Sequence, residues 1–276
     1  MNAMQRSDYW LKMERMRRVV ERKYTPIMTE VLLKEFDAFA KSVKRDGPSA
    51  AMSGLGAVVW DTKIMAVMSD MYREVAVQFS NSAYRAVGIE SRKAYNPFKL
   101  NSTFLAEIMR YLAQYGFYIV AFITQTTKKK LISLVSAAMN VGASVDDIVN
   151  LIVSKEMGEY ARMRARTIIR TEVMRASNYS VSMGATEHQF QVDKMWVSMR
   201  DARTRRIPKD QYDHWDMDGQ VRPLDEPFQS FDKLGRVVLA DMPGDPKAPK
   251  GFLINCRCTV AYVPSRDANG RLIMKL

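Results

Sequence analysis

The chain has 276 residues, 47% of them apolar, and its 42 Lys and Arg outnumber 30 Asp and Glu for a formal charge of +12. That apolar share builds a core and excludes a disordered polyelectrolyte, and two cysteines exclude a disulfide framework. The basic excess favours polyanionic or acidic partners, yet it is spread along the chain with no arginine-rich arm, so a merely basic surface is an equal reading.

The N-terminal stretch MNAMQRSDYWLKMERMRRVVERKY has no apolar core followed by a small-residue cleavage site and does not read as a secretory signal. Trp10, Met13, Met16, Arg17 and Val20 recur at three- and four-residue intervals, which predicts an amphipathic basic helix. It is either docked on its own domain or free as an arm for a partner or nucleic acid. Helical periodicity continues to about Met157, with breaks expected at Tyr24–Pro26, Arg45–Gly56 and Tyr95–Phe98. Between them, Val59, Ile64, Val67, Met68, Met71, Val75 and Phe79 form one face of a long helix. The apolar run from Tyr111 to Ile123 is too short for the roughly 20 residues a bilayer demands, so it is expected to be a buried helix and no stable membrane span is predicted. Ser144 and Asp147 are spaced as a capping box at the start of a further helix. The twenty methionines sit mostly on helical faces, as adaptable core filler with some suited to an assembly interface.

After Gly184 the texture changes. Short alternating or β-branched runs, KMWVSM, QVRPL, VVLA, CTVAYV and RLIMKL, are separated by stretches rich in Pro, Gly and Asp. The expected fold class is α+β, a long-helix N-terminal region followed by a small α+β module with short strands and long loops.

The polar residues of this second part carry whatever chemistry the chain has. Arg166 and Arg170 lie one helical turn apart with Glu172 beyond, a set suited to a buried ion-pair network. His214, Cys256 and Cys258 supply three soft ligands for zinc. A one-residue gap between cysteines on a strand points their side chains to opposite faces, however, and only a turn or bulge at Arg257 would bring both sulfurs to one ion. Buried free thiols are the competing reading. Asp201, Asp213, Asp216 and Asp218 with His214 could hold magnesium as in a nuclease, but the sequence has no phosphate-cradling glycine loop, serine elbow or HExxH.

The order of these motifs matters more than any one of them. A helix with RARTIIRTE, a Trp-led strand with RDARTR, a histidine, an Asp-Gly turn, PLDEPF, PGDP and finally INCRCTV resembles the phage Mu F-like minor head protein, or head morphogenesis, family. The resemblance runs from about Thr124 to Val263. Arg170, Thr171 and Glu172 match the close of the family's helix, and Asn178 a recurrent asparagine after it. Trp196, Asp201, Arg203 and Arg205 match the next strand and loop; His214, Asp218 and Gly219 the histidine and Asp-Gly turn; and Phe228 the following aromatic. Pro243, Asp245 and Pro246 match the proline loop, and Asn255, Cys256, Arg257 and Cys258 the closing signature. One departure is that RIPKDQYD separates His214 from the arginine pair, where the family keeps its histidine only a few residues away.

The resemblance implies a virion component of a tailed double-stranded DNA phage, placed in the capsid interior near the portal and in the host cytoplasm during assembly. Expected partners are the portal protein, a major capsid or scaffold protein and packaged double-stranded DNA. Residues 1–123 would be a helical contact region and residues 124–276 the Mu F-like module. No catalytic residue is expected. Arg166, Arg170, Glu172, Asp201, Arg203, Arg205, Asp218, Asn255 and Arg257 form a structural polar signature, and His214, Cys256 and Cys258 are candidate ligands of a structural zinc. The alternative is a virion-carried nuclease or nucleotide transferase built on the same module.

Overall fold

The computed structural model describes residues 1–55, 60–88 and 97–275. Six helices precede the first strand among these residues: α1 (Ala3–Asp46), α2 (Pro48–Gly54), α3 (Trp60–Gly88), α4 (Pro97–Asn140), α5 (Val145–Ile152) and α6 (Lys155–Thr186). Strands β1 (Val192–Val197), β2 (Val221–Arg222), β3 (Phe228–Phe231) and β4 (Val237–Ala240), helix α7 (Lys250–Leu253) and strand β5 (Thr259–Pro264) follow. The α+β class is as expected.

The chain forms two compact units, both discontinuous in sequence. One gathers Met1–Val20, Met71–Tyr111 and Arg170–Leu276; the other gathers Glu21–Asp70 and Leu112–Ile169.

The second unit is helical. Met28, Leu32 and Phe36 continue an unbroken buried stripe past Pro26, which lies inside α1. The break expected at Tyr24–Pro26 is therefore absent: a proline in a helix interior costs about 3 kcal/mol, and burying those three side chains outweighs it at about 1.5–3 kcal/mol each. Within the break expected at Arg45–Gly56, α1 ends at Asp46 and α2 begins at Pro48, with Gly47 between them at φ 80°; its last residue Gly56, Tyr95 and Asn96 of the break expected at Tyr95–Phe98, and the expected core position Val59 lie outside the described residues. Ile64, Val67 and Met68 in α3 are buried as predicted. The Tyr111–Ile123 run lies in α4 as a one-sided helix, burying Ile119, Val120 and Ile123 while leaving Phe117 and Tyr118 exposed. No described helix is long and apolar enough to cross a membrane. Ser144 and Asp147 make the predicted capping box at the start of α5.

The first unit carries the sheets. β1 is the centre of an antiparallel three-stranded sheet, β2-β1-β5, with Trp196 opposite Val260 and Lys194 opposite Tyr262. Alternation along β1 sends Met195 and Val197 to one face, where Trp10 of α1 packs on them together with Ala261. Trp196 faces the other way, against Phe228, Phe252 and His214. The docked reading of the N-terminal helix is thus the observed one, with Trp10, Met13, Arg17 and Val20 all buried.

Strands β3 and β4 form a separate antiparallel pair. β3 escaped the sequence pattern because its inward residues are Phe228 and Ser230, so apolar alternation fails; the Ser230 hydroxyl donates instead to the Asp213 carbonyl (2.8 Å). In its described residues the RLIMKL run makes isolated bridges and no named strand, Arg266 to Leu272 and Phe190 to Met274. At Gly184 a Cβ would lie 2.0 Å from the Ser80 carbonyl oxygen, so only glycine permits α6 to pass α3 this closely.

Candidate functional site

The motifs of the C-terminal part converge in the first unit on one buried polar clasp. Its centre is Asn178 on α6, fully buried. The Asn178 Oδ1 accepts from the Val260 N–H, the Thr259 hydroxyl and Arg17 Nη2, each at 3.0 Å. Its Nδ2 donates to the carbonyls of Pro243 (3.0 Å) and Cys258 (3.3 Å). One side chain therefore ties the helix to the proline loop and to the cysteine segment.

Arg17 of α1 completes the arrangement. Buried to 2% exposure, its guanidinium donates to the Ser177 hydroxyl (2.7 Å), the Thr259 hydroxyl (3.1 Å) and the Cys258 carbonyl (3.3 Å). The sequence signal was an arginine on an otherwise apolar helical face, which makes sense only if that face meets polar groups.

Glu172 is buried as expected, but its charge partner among the named bonds is Arg175, at 2.5 Å, joined by the Tyr72 hydroxyl at 2.8 Å. Burial alone would lower the Arg175 pKa, yet the Glu172 carboxylate beside it holds it above the ordinary arginine value. Burial, and then the same carboxylate, push the Tyr72 hydroxyl well up. Arg175 Nε also donates to the Gly244 carbonyl (2.9 Å), and Gly244, at φ 87°, packs so tightly on Arg175 that a Cβ would lie 3.0 Å from its Cα. Sequence reading missed Arg175 and Tyr72. Arg166 is exposed on α6 and Arg170 is partly exposed; neither is among the named partners of Glu172.

The loop residues take definite roles. Asp218 Oδ1 accepts from the Ser198 N–H (2.9 Å), and Oδ2 pairs with Arg6 (3.1 Å). Asp201 pairs with Arg257 and accepts from the Arg203 N–H (3.1 Å), while the Arg203 side chain is 62% exposed. Burial raises the Asp201 pKa, but the Arg257 guanidinium outweighs it and leaves the carboxyl below its usual range. Arg257 stacks over Trp10 at 5.4 Å, and Trp10 Nε1 donates to the Arg257 carbonyl (2.8 Å). Arg205 donates to the Ile254 carbonyl. Asp245 accepts from the N–H groups of Asp241 (2.8 Å) and Lys247 (2.9 Å), shaping the proline loop.

The geometric objection to Cys256 and Cys258 sharing a site applies to a strand, and this segment is not one; it follows a turn at Asn255. Asn255 takes a left-handed conformation, φ 56°, which asparagine tolerates better than most side chains, and its N–H donates to the Thr171 hydroxyl (3.1 Å). The cysteines lie in the irregular segment between α7 and β5, not on a strand, and both sulfurs turn toward His214. Nδ1 of His214 is 3.4 Å from Cys256 Sγ and 3.6 Å from Cys258 Sγ, and the Cys258 N–H points at Cys256 Sγ (3.4 Å).

The inserted RIPKDQYD segment folds back on itself. The His214 and Trp215 N–H groups donate to the Arg205 carbonyl at 3.0 and 3.1 Å, and Asp213 accepts from the N–H groups of Trp215 and Ile207. His214 thereby sits beside Arg205 despite the extra residues.

All three ligand atoms lie within 4.8 Å of one another and all three residues are buried, so the group could hold a metal ion. Burial raises the proton affinity of both thiols. At Cys256 the Cys258 and His214 side chains overcome this and hold its pKa well below the ordinary thiol value, while at Cys258 the neighbouring Cys256 adds to burial and pushes it well up. The alternative magnesium cluster does not assemble: among the described residues His214, Cys256 and Cys258 are the group of three or more metal-ligating side chains that converges, while Asp201, Asp213 and Asp218 are bonded to arginines and backbone amides.

Comparison with known proteins matches the same stretch. The family model described as Phage Mu protein F like protein matches residues 129–261. The chain is also similar to the uncharacterized protein YqbB of Bacillus subtilis (strain 168), with 30% identity over 126 residues that cover 46% of this chain and 38% of that protein. The chain thus matches well under half of that relative's length. No solved structure matches.

Proposed function

We propose, from the premise that residues 129–261 match the Phage Mu protein F like family, that this chain is a minor capsid or head morphogenesis protein of a tailed double-stranded DNA phage. In this reading it associates with the portal inside the head and assists assembly, DNA packaging or ejection. The observation that carries the proposal is the clasp around Asn178, in which the helix, the proline loop and the Asn-Cys-Arg-Cys segment of the family pattern become one hydrogen-bonded body.

The module's role is structural, as Mu F-like head proteins generally are. Residues 124–276 carry the module, and residues 1–123 supply helical surface for the portal, a major capsid or scaffold protein, or packaged DNA. Met1–Val20 fold with the module's unit, so the contact surface lies on the remainder. The charge of +12 suits a DNA-filled interior. A structural zinc in the His214–Cys256–Cys258 group would close the module. Asp218, which a nuclease reading would require for magnesium, is tied to Arg6 and Ser198, so the geometry favours no catalytic role.

The test is quantitative mass spectrometry of purified heads from cells carrying the phage genes with and without this chain. The expected result is a few copies per head alongside the portal protein, and defective or empty heads in its absence. Normal heads that lack the chain would refute the proposal, as would DNA cleavage by the pure chain with magnesium that Asp218→Ala abolishes.

A further inference from the structure

We infer that zinc in the clasp has three protein ligands, Nδ1 of His214 and the sulfurs of Cys256 and Cys258, and that its fourth ligand is a solvent oxygen held by Arg257. This inference rests on the reading that the clasp holds zinc, and adds to it the coordination sphere.

The distances fit the ion. Zinc bonds of about 2.0–2.1 Å to nitrogen and about 2.3 Å to sulfur, at a tetrahedral angle, set nitrogen and sulfur about 3.5 Å apart. The separations observed are 3.4 and 3.6 Å. The Cys258 N–H directed at Cys256 Sγ is the kind of bond that stabilises a thiolate. Three protein ligands of one nitrogen and two sulfurs leave one tetrahedral position open. Within the described residues no fourth His, Cys, Asp or Glu joins the group.

Beside the three ligands, which help to line it, is a cavity of about 20 Å³ also bordered by Trp10, Arg203, Thr204, Arg205 and Arg257. That volume admits a water-sized occupant, which needs at least about 10–15 Å³ and polar partners. Arg257 supplies a partner. Its Nη2 pairs with Asp201, whereas Nη1 is buried with no hydrogen-bond partner. A buried guanidinium N–H without an acceptor calls for an unseen acceptor, and a metal-bound oxygen in this cavity provides one. His214 Nε2 is likewise buried without a partner, among the rings of Trp196 and Phe252.

Metal content and spectroscopy of the full chain test this. Elemental analysis should find one zinc per chain, and X-ray absorption should find two sulfur and two lighter neighbours. The chain loaded with cobalt(II) should show tetrahedral d–d bands and thiolate charge transfer, and its electron paramagnetic resonance signal should broaden in ¹⁷O-enriched water. Cys256→Ser and Cys258→Ser should lose the ion; because either change can impair folding, the spectra of the unaltered chain remain the deciding result. A folded chain that takes up neither zinc nor cobalt overturns both the inference and the zinc clasp, and leaves the head-protein proposal standing. Bound metal with a third sulfur, or with no ¹⁷O broadening, overturns the solvent ligand alone.

Discussion

The two units solve the problem of burial in opposite ways. In the unit made of Glu21–Asp70 and Leu112–Ile169 the core is apolar helix stripe, and Glu35, Thr124 and Thr127 are its buried polar side chains among the described residues. Glu35 meets Lys63 (2.7 Å), Thr124 meets Asp61 (2.5 Å), and Thr127 bonds within its own helix. Every other buried polar side chain named for the described residues, from Arg17 to Ser265, belongs to the unit with the sheets. Apolar packing is non-directional and accepts many sequences of similar volume, whereas a buried polar group needs a particular partner at a particular distance. The first kind of core fixes a shape; the second fixes residues.

The sharpest way to break this contrast is to make near-isosteric changes in both units. Glu172→Gln should leave Arg175 as a buried, uncompensated charge, destabilising the sheet-bearing unit by about 3–5 kcal/mol; denaturant unfolding followed by tryptophan fluorescence in a Trp60→Phe background reads it, because the other three of the four tryptophans, Trp10, Trp196 and Trp215, lie in that unit. Asn178→Ala strips the partners from the Val260 N–H and the Pro243 carbonyl and should cost about 3 kcal/mol by the same measurement. In the helical unit Leu32→Met, a change of similar size, should cost less than about 1.5 kcal/mol by circular dichroism. Equal losses at Glu172 and Leu32 would erase the distinction.

The smallest effect concerns pH. Asp201 has its folded pKa lowered, with Arg257 outweighing burial. Its contribution is therefore complete above the unfolded value near 4 and disappears as pH falls through the lower folded value. Because the carboxylate is 32% exposed, screening keeps this below about 1 kcal/mol. Asp201→Asn should lower stability at neutrality by up to that amount and flatten the profile on the acid side of about pH 4, where the two proteins converge.

The same contrast explains what was legible in the sequence. Arg170, Thr171, Glu172, Asn178, Pro243 and the Asn255–Cys258 signature stood out as an ordered set because the polar core fixes residue types at spaced positions. The helical unit presented only periodicity, enough to find α3 and α5 but not enough to see α1 run through Pro26, where packing overrides local preference. Arg175, three residues after Glu172, has the spacing that makes helical neighbours, whereas Arg170 at two residues and Arg166 at six do not; the pair was legible in the sequence, and the arginine-rich run before Glu172 drew attention from it. The convergence of two thiols one residue apart depended on the irregular, non-strand backbone of Cys256–Cys258, which sequence spacing does not encode. That the inserted loop would return His214 to Arg205 likewise required the carbonyl and carboxylate contacts that close it.

The claim that side-chain hydrogen bonds specify the sheet-bearing unit is tested most directly by native-state hydrogen exchange at the amides of Ser198, Asn255 and Val260. Each N–H is bonded to a side-chain oxygen, of Asp218, Thr171 and Asn178 respectively. If the polar clasp is the core, these amides exchange only with opening of the whole unit, as slowly as the β1 amides paired to β5. Exchange at the rate of an exposed loop, with β1 still protected, would contradict it.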